Sequence, residues 1–528
     1  MQSPTCPFEP GQRVHFSGDP RRVGTAKYVG PVSGHEGTWV GVDWDSGEGK
    51  HDGSVNGVRY FQSNSERSGS FVRSSNLSSG VSMLEALYNR YRAESSQEEN
   101  DEMYVFSATN RKVSVELVGK DKIQKKLGQL EDMKGASLSY GGVSSVGNIN
   151  EVVPNLQELD LMGNLLSDWK DINILCGQLP NFRALNLSNN LMKEKTDELS
   201  QLKHLRVLVL NNSGVNWTHV ELLKESLPSI EELHLMGNKI AEIKPTKSST
   251  VEGFDSLRLL NLEDNSIAEW DEILKLSQLK SLEKLQLNKN CLKHVFYPGG
   301  DIIRGTFGEE SFNPFQNLRC LFLGGNLIED AVSIDSLNLF PQLVDVRLSE
   351  NPVTDPARGG ITRFVQVARL RKVQVLNGSE VSPRERKESE IRYVRLVLSK
   401  NSGSLEEIRL LHPRFAELKQ FHGIEDERPS IGSTGPQKMA SGLISVTLKC
   451  VGPSIGEKPP QTKKLPATTT VGKLKILCEN FFKLKSMKSR LFLEEAGSPF
   501  PVLLDDEMGS FLDLGIGNGS VILVDEES

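Results

Sequence analysis

Gly49-Lys50-His51-Asp52-Gly53, preceded by Gly47 and followed directly by the stretch from Ser54 to Phe61, gathers into one segment the groups that hold an anion. Glycine at 47, 49 and 53 admits positive φ and predicts uncovered amides, while Lys50 adds a cation and His51 and Asn56 add side-chain donors. Such a loop suits a carboxylate. Trp39, Trp44, Tyr60, Phe61 and Phe71 would supply an apolar wall, so that a peptide's terminal aromatic side chain packs while its C-terminal carboxylate is captured. A second assignment stays open: the same aromatics, Trp39 and Phe71 among them, as the core of a small β-barrel. A phosphate loop is the poorer match, because His51 follows Gly49-Lys50 where Ser or Thr is required and no strand and helix flank the segment in the needed order.

The element that must position this loop runs over residues 8–78 and includes Gly11-Gln12-Arg13-Val14, Gly24-Thr25, Tyr28-Val29-Gly30 and Trp39-Val40-Gly41-Val42-Asp43-Trp44. Together with the loop, these motifs resemble the CAP-Gly domain family. The resemblance implies a small β-barrel whose groove binds acidic tails ending in Glu-Glu-Tyr or a similar aromatic, as on α-tubulin. Lys50 and Asp52 carry over directly. Position 51 departs from the family's usual Asn; a histidine there still donates a hydrogen bond and predicts pH-dependent binding near neutrality.

Residues 131–355 repeat the pattern L-x-x-L-x-L-x-x-N-x-L, the mark of leucine-rich repeats. Clear copies begin at Leu156, Phe182, Ile230, Leu257, Leu282, Leu318 and Leu343, the copy at Leu205 places Ser213 at the Asn position, and a degenerate copy begins at Met133. A spacing of about 23 to 27 residues predicts one short strand and one return per unit. The leucines should stack into a continuous core, and the asparagines should satisfy buried backbone groups where each strand turns. The longer interval between Asn290 and Asn326 reads as a surface insertion and contact loop. Glu158, Asp160, Glu232, His234, Glu263, Lys284, Gln286, Asp345 and Arg347 fall between the leucines and predict a charged concave face for a protein partner.

The flanks follow from capping and composition. Ser82-Met83-Leu84-Glu85 starts a helix with Leu84, Leu87, Tyr88 and Tyr91 on one side, and the acidic run from Glu98 to Glu102 makes the rest of 79–130 a linker that lets the first domain move. Residues 356–428 close the repeats, with a helix from Ser382-Pro383-Arg384-Glu385 that buries Ile391, Val394 and Val397 and leaves the basic run Arg384 to Lys387 solvated. After a Pro/Gly/Ser-rich linker at 429–441, residues 442–528 read as β-grasp. Ile444, Val446, Leu448 and Cys450 alternate, and Val471, Leu474, Cys478 and Phe481 have helical spacing. The order resembles ubiquitin-like domains; the ending Asp-Glu-Glu-Ser, in place of Gly-Gly, implies a docking module that is not conjugated.

The chain's 528 residues, with 37% hydrophobic and 25% charged, fit a multidomain globular protein, and a net charge of −7 argues against general nucleic-acid binding. Six cysteines without a CxxC pattern predict reduced thiols with neither zinc nor disulfides, and no apolar run approaches the ~18 residues of a spanning helix. No catalytic motif stands out, so neither enzyme activity nor a cofactor is expected. A CAP-Gly domain, an α/β leucine-rich-repeat solenoid and a ubiquitin-like end, in that order, resemble the tubulin-folding cofactor E family. That implies a cytoplasmic, cytoskeletal role with α-tubulin, with cofactors C and D and β-tubulin, and with cofactor B and the proteasome as further partners. A microtubule-associated adaptor and a ubiquitin-like shuttle that delivers tubulin for degradation remain as alternatives.

Overall fold

Period-two alternation sets the first element. In the strand His35–Trp44, Val40, Val42 and Trp44 share one face and are at most 1% exposed, which leaves Trp39 and Gly41 on the other. Antiparallel pairing orders five strands as Gly69–Val72, His35–Trp44, Asp19–Val32, Arg13–Phe16 and Leu77–Ser78. Register breaks at Ala26/Tyr28 and Pro31/Val32 bend the long strands, so the sheet curls into a small barrel around Phe8, Val14, Ala26, Val40, Val42 and Trp44.

The computed structural model describes residues 6–92, 104–106, 112–114, 129–193, 199–246, 248–298, 314–400, 404–424, 443–451, 458–483, 489–494, 501–504, 507, 511, 514 and 516–526. The chain packs as two units, Met1–Ile267 with Asp271–Leu287, and Ala268–Trp270 with Asn288–Ser528.

Within the first unit, the barrel strand Leu77–Ser78 is followed after two residues by Val81–Ser82, which pairs in parallel with Val143–Ser145 at the start of the repeats. The helix Met83–Tyr91 then begins where the Ser82 side chain accepts from the Glu85 amide. It buries Met83, Ala86 and Leu87, a stripe shifted from the expected Leu84, Leu87, Tyr88 and Tyr91, and the Tyr91 hydroxyl accepts the Ser137 N–H at 2.8 Å. Residues 81–82, directly after the barrel and upstream of the acidic run, thus pair with the start of the repeats. Residues 98–102 lie outside the described residues.

Seven short parallel strands continue the unit: Gly135–Ser137, Glu158–Asp160, Ala184–Asn186, Val207–Val209, Glu232–His234, Leu259–Asn261 and Lys284–Gln286. The repeat asparagines do what their spacing predicts. Asn265 is buried, donates to the carbonyls of Leu235 and Leu262 at 3.0 Å each, and accepts from the amides of Asn238 at 3.0 Å and Ile240 at 2.9 Å. Ser213, with a shorter side chain, keeps the bond to Leu187 O at 3.2 Å.

The second unit carries Cys320–Phe322, Asp345–Arg347 and Val375–Leu376 in parallel, then the antiparallel Ser379–Glu380. Residues 299–313 of the insertion after Asn290 lie outside the described residues, but Tyr297 and Phe315, on either side of them, both pack on Phe340, with centroids 5.0 and 5.8 Å away. In the helix Pro383–Lys400, Val394 and Val397 are buried as expected, whereas Ile391 is half-buried. The basic run is not wholly solvated. Arg386 turns inward and donates to the carbonyls of Val367 at 3.1 Å and Leu370 at 2.9 Å, capping the end of the helix Arg363–Arg369, while buried Glu385 pairs with Arg363 at 2.7 Å. The final β-grasp sheet has the order Gln461–Pro466, Leu443–Cys450, Ser520–Glu526, Ser489–Glu494, Val502–Leu503, with its two central strands parallel and the helix Val471–Phe482 supplying core residues. Phe482, not the expected Phe481, enters that core; Phe481 is exposed beneath Lys463.

Candidate functional site

Cross-strand pairing assembles the site's floor. Tyr28 lies opposite Gly41 and Gly41 opposite Phe71, so the outer face of the barrel carries two rings flanking a position without a side chain. A Cβ on Gly41 would stand 2.5 Å from the Phe61 ring, so glycine there is what lets Phe61 close over the sheet. Phe71 becomes the hub, with ring centroids of His51, Tyr60, Phe61 and Tyr28 at 5.2, 5.4, 5.6 and 6.0 Å. Phe61 is buried beneath; Tyr28, His51, Tyr60 and Phe71 are half-buried and form the surface. Tyr60 is fixed by its hydroxyl, which accepts the Ser33 N–H at 2.8 Å.

Trp39 and Trp44 stand at an odd offset along one strand and therefore face opposite ways. Trp44 is in the barrel core and is no part of the wall, which corrects the sequence expectation. Trp39 lies on the outer face, half-buried, with the Arg73 guanidinium 3.7 Å from its ring centroid.

The loop itself departs from expectation in its amides. Gly49 N–H donates to Arg67 O at 2.5 Å, Lys50 and His51 N–H to Gly69 O at 2.7 and 3.1 Å, and Gly53 N–H to His51 Nδ1 at 3.1 Å. These donors are spent inside the fold, which leaves side chains as the loop's groups available to an anion. Gly53 has φ +95° and no room for a Cβ, which would meet Phe61 O at 2.0 Å. Lys50 is exposed and forms no ion pair among the described residues. Asn56, also exposed, sits with Gly57 at the two-residue turn between Ser54–Val55 and Val58–Arg59, with φ +51°.

Asp52 braces the loop. One carboxylate oxygen accepts the Ser54 N–H at 3.0 Å and the other pairs with Arg59 at 2.7 Å; the Ser54 bond first, and Arg59 after it, hold the carboxyl below its usual range. His51 makes with its Nδ1 the same bond to the second amide ahead that an Asn side chain makes in an Asx-turn. Burial lowers its pKa below the usual histidine value, Asp52 opposes this, and Lys50 adds to it. At neutral pH the imidazole is therefore uncharged, with its proton on Nε2, and the pH dependence expected near neutrality moves to the acid side.

Three residues of this site escaped the sequence reading: Tyr28, Arg59 and Arg73. For Tyr28 a signal existed, because a Cβ on Gly30 would stand 2.5 Å from the Tyr28 hydroxyl, and a glycine inside a strand marks such close approach.

On the repeats, Glu158, Asp160, Glu232, His234, Lys284 and Gln286 do lie on the short strands of the first unit, and Asp345 and Arg347 on a strand of the second. Glu263 does not. It follows the strand Leu259–Asn261, whose own outward residues are Leu259 and Asn261, and its amide donates to Asn261 Oδ1 at 2.9 Å. Asp160 is occupied internally, accepting from Asn186 at 2.9 Å, Ser137 at 3.2 Å and Ser139 at 2.5 Å. Glu232 approaches His234 at 3.4 Å, and the Arg347 guanidinium stacks 4.1 Å from the Phe322 centroid.

A model of the CAP-Gly domain family matches residues 10–77. Over 523 residues, 98% of each chain, the sequence is 62% identical to the tubulin-folding cofactor E of Arabidopsis thaliana. Over 501 residues, 91% of this chain and 92% of the other, it is 32% identical to the tubulin-specific chaperone E of Danio rerio. Among solved structures it is similar to the C-terminal ubiquitin-like domain of mouse tubulin-specific chaperone e, at 24% identity and TM-score 0.15, covering 19% of this chain and 95% of that one.

Proposed function

Because this chain belongs to the tubulin-folding cofactor E family, we propose that it acts in tubulin folding by capturing α-tubulin through its acidic C-terminal tail. In this reading it takes part, with cofactors C and D and β-tubulin, in assembling and dissociating the αβ heterodimer. The observation that carries the tail reading is the exposed Lys50 on a loop anchored beside the rings of Tyr28, His51, Tyr60 and Phe71. The Lys50 ammonium donates to the terminal carboxylate, and the last aromatic side chain packs against the exposed edges of Tyr60 and Phe71.

The action is binding, without a chemical step of the chain's own, in the cytoplasm and on the cytoskeleton. Glu158, Glu232, Lys284 and Arg347 offer the solenoid's charged contacts to the folded body of tubulin, and the ubiquitin-like domain docks a further part of the assembly. Several linked weak sites raise the effective concentration of each to the order of mM, so none need bind tightly.

The test is titration of the full chain with an α-tubulin tail peptide, with and without its final tyrosine. Removing the tyrosine, or changing Lys50→Ala, should weaken binding by about tenfold, the equivalent of about 1.4 kcal/mol. Undiminished affinity in a folded Lys50→Ala variant rejects the groove. Incubation with purified αβ dimer separates the cofactor from an adaptor, which leaves the dimer intact, and direct proteasome binding by the chain would favour the shuttle.

A further inference from the structure

Behind the loop that carries Lys50 lies a second concavity, a cleft of about 880 Å³ in the first unit. One wall is the barrel, at Trp44, Ser46, Gly47, Ser65 and Ser68; the other is the row of turns that follow the first repeat strands, at Tyr140, Asn189, Asn212 and Lys239. Its chemistry is specific. The exposed Ser46 and Ser65 hydroxyls and the Asn212 amide offer donors and acceptors to an extended backbone, and the charged groups on its rim do not cancel. Asp45 is neutralised from within the barrel by Arg13, Nη1 to Oδ1 at 2.8 Å. Arg21 and Lys239 are exposed, and neither forms an ion pair among the described residues. The cleft therefore presents net positive charge.

The cleft is continuous with the groove through one piece of backbone. Trp44 N–H to Ser68 O at 2.9 Å, Gly49 N–H to Arg67 O at 2.5 Å and Lys50 N–H to Gly69 O at 2.7 Å tie residues 44–50 to 67–69, so Ser46, Gly47 and Ser68 face the cleft from the same ridge that holds Lys50. At Gly47 nothing lies within 4 Å of the position a Cβ would take, which leaves the crest of that ridge open for a chain to cross.

We propose that this cleft takes the acidic stretch upstream of the tail's last three residues, so that barrel and first repeats form one continuous site for an acidic peptide. The proposal rests on the tail reading above. It explains why pairing of Val81–Ser82 with Val143–Ser145 holds barrel and repeats together: a two-walled site needs its walls in register.

Two synthetic peptides test it on the full chain, a short one limited to Glu-Glu-Tyr with a free carboxylate and a long one carrying a run of glutamates before the same ending. The long peptide should bind the wild type more tightly than the short, by about tenfold at low salt. Arg21→Glu combined with Lys239→Glu should abolish that difference and leave the short peptide's affinity unchanged; both residues are exposed, and an unchanged melting temperature confirms the fold. A long peptide that gains nothing over the short one, or keeps its advantage in the double variant, overturns the cleft. Lys50→Ala separates this from the groove: if it leaves both affinities untouched while the double variant still weakens the long peptide, the groove reading falls and the cleft stands.

Discussion

His51 offers the sharpest test of the loop, because its ring holds the turn and packs on the hub at once. Replacing it with Ala removes the bond from Gly53 N–H, about 1 kcal/mol net, and the contacts with Phe71 and Phe61, about 0.5–1.5 kcal/mol. If the loop is ordered by a margin of that size, its binding-competent fraction falls and the apparent peptide affinity drops by about tenfold. His51→Asn restores the turn bond through its side-chain oxygen and loses only the ring, so it should recover most of the affinity. The pH sign follows from the lowered pKa of the folded state: between that value and the unfolded 6.5 the unfolded chain binds more protons, so stability falls as pH drops below 6.5 and is flat above it. Protonating Nδ1 also breaks the Gly53 bond, so tail affinity should fall as pH drops through the lowered folded-state pKa, at the acid end of that window, in the wild type and not in His51→Asn. Fluorescence titrations across pH and NMR titration of the imidazole read both effects. An Asn variant as weak as the Ala variant, or a His51 that titrates at or above 6.5, refutes the reasoning.

Trp44→Ala should destabilise the barrel by about 3–5 kcal/mol, as expected for emptying a core aromatic site, whereas Trp39→Ala should leave the melting temperature nearly unchanged and alter only peptide affinity; equal losses of stability would contradict the assignment of opposite faces. Asn265→Ala strips the acceptor from two buried amides, Asn238 and Ile240, each worth about 1–3 kcal/mol, so chemical denaturation should show a loss of about 2–6 kcal/mol and hydrogen exchange should accelerate at those two amides; protection unchanged there would count against the ladder. Glu385→Ala leaves Arg363 without its buried partner and should cost about 3–5 kcal/mol, against near-neutrality for the exposed pair broken by Glu388→Ala.

What was legible in the sequence is what a local rule determines. The repeat asparagines were readable because a fixed offset from a strand returns the same carbonyls in every turn, and Trp44 was readable in principle because parity along a strand decides its face. Phe481 and Phe482 both satisfy helical spacing from Val471 and Cys478, and only the sheet packed against that helix selects the second. Arg386 looked like one of a row of solvated cations because the carbonyls it caps belong to a helix that ends many residues earlier. Glu263 was misplaced by one step past the strand, where period-two reasoning stops applying.

The loop at 47–53 is the instructive case, since the amides that its glycines were expected to leave bare are engaged within the fold. Its glycines invited a reading in which bare amides grip the carboxylate, but Arg67 O and Gly69 O, which consume those amides, come from a segment that no spacing within the loop could announce. Moving the grip from amides to the Lys50 ammonium changes the physics of capture. A nest of fixed dipoles would be preorganised and salt-tolerant, whereas an exposed cation on a four-carbon stem is screened within about 10 Å at 0.1 M salt and loses rotamer freedom on binding. On the proposed reading, tail capture by this loop alone would be weak and salt-dependent, and tighter engagement would come from further contacts in the same unit, which is where the cleft lined by Arg21 and Lys239 lies.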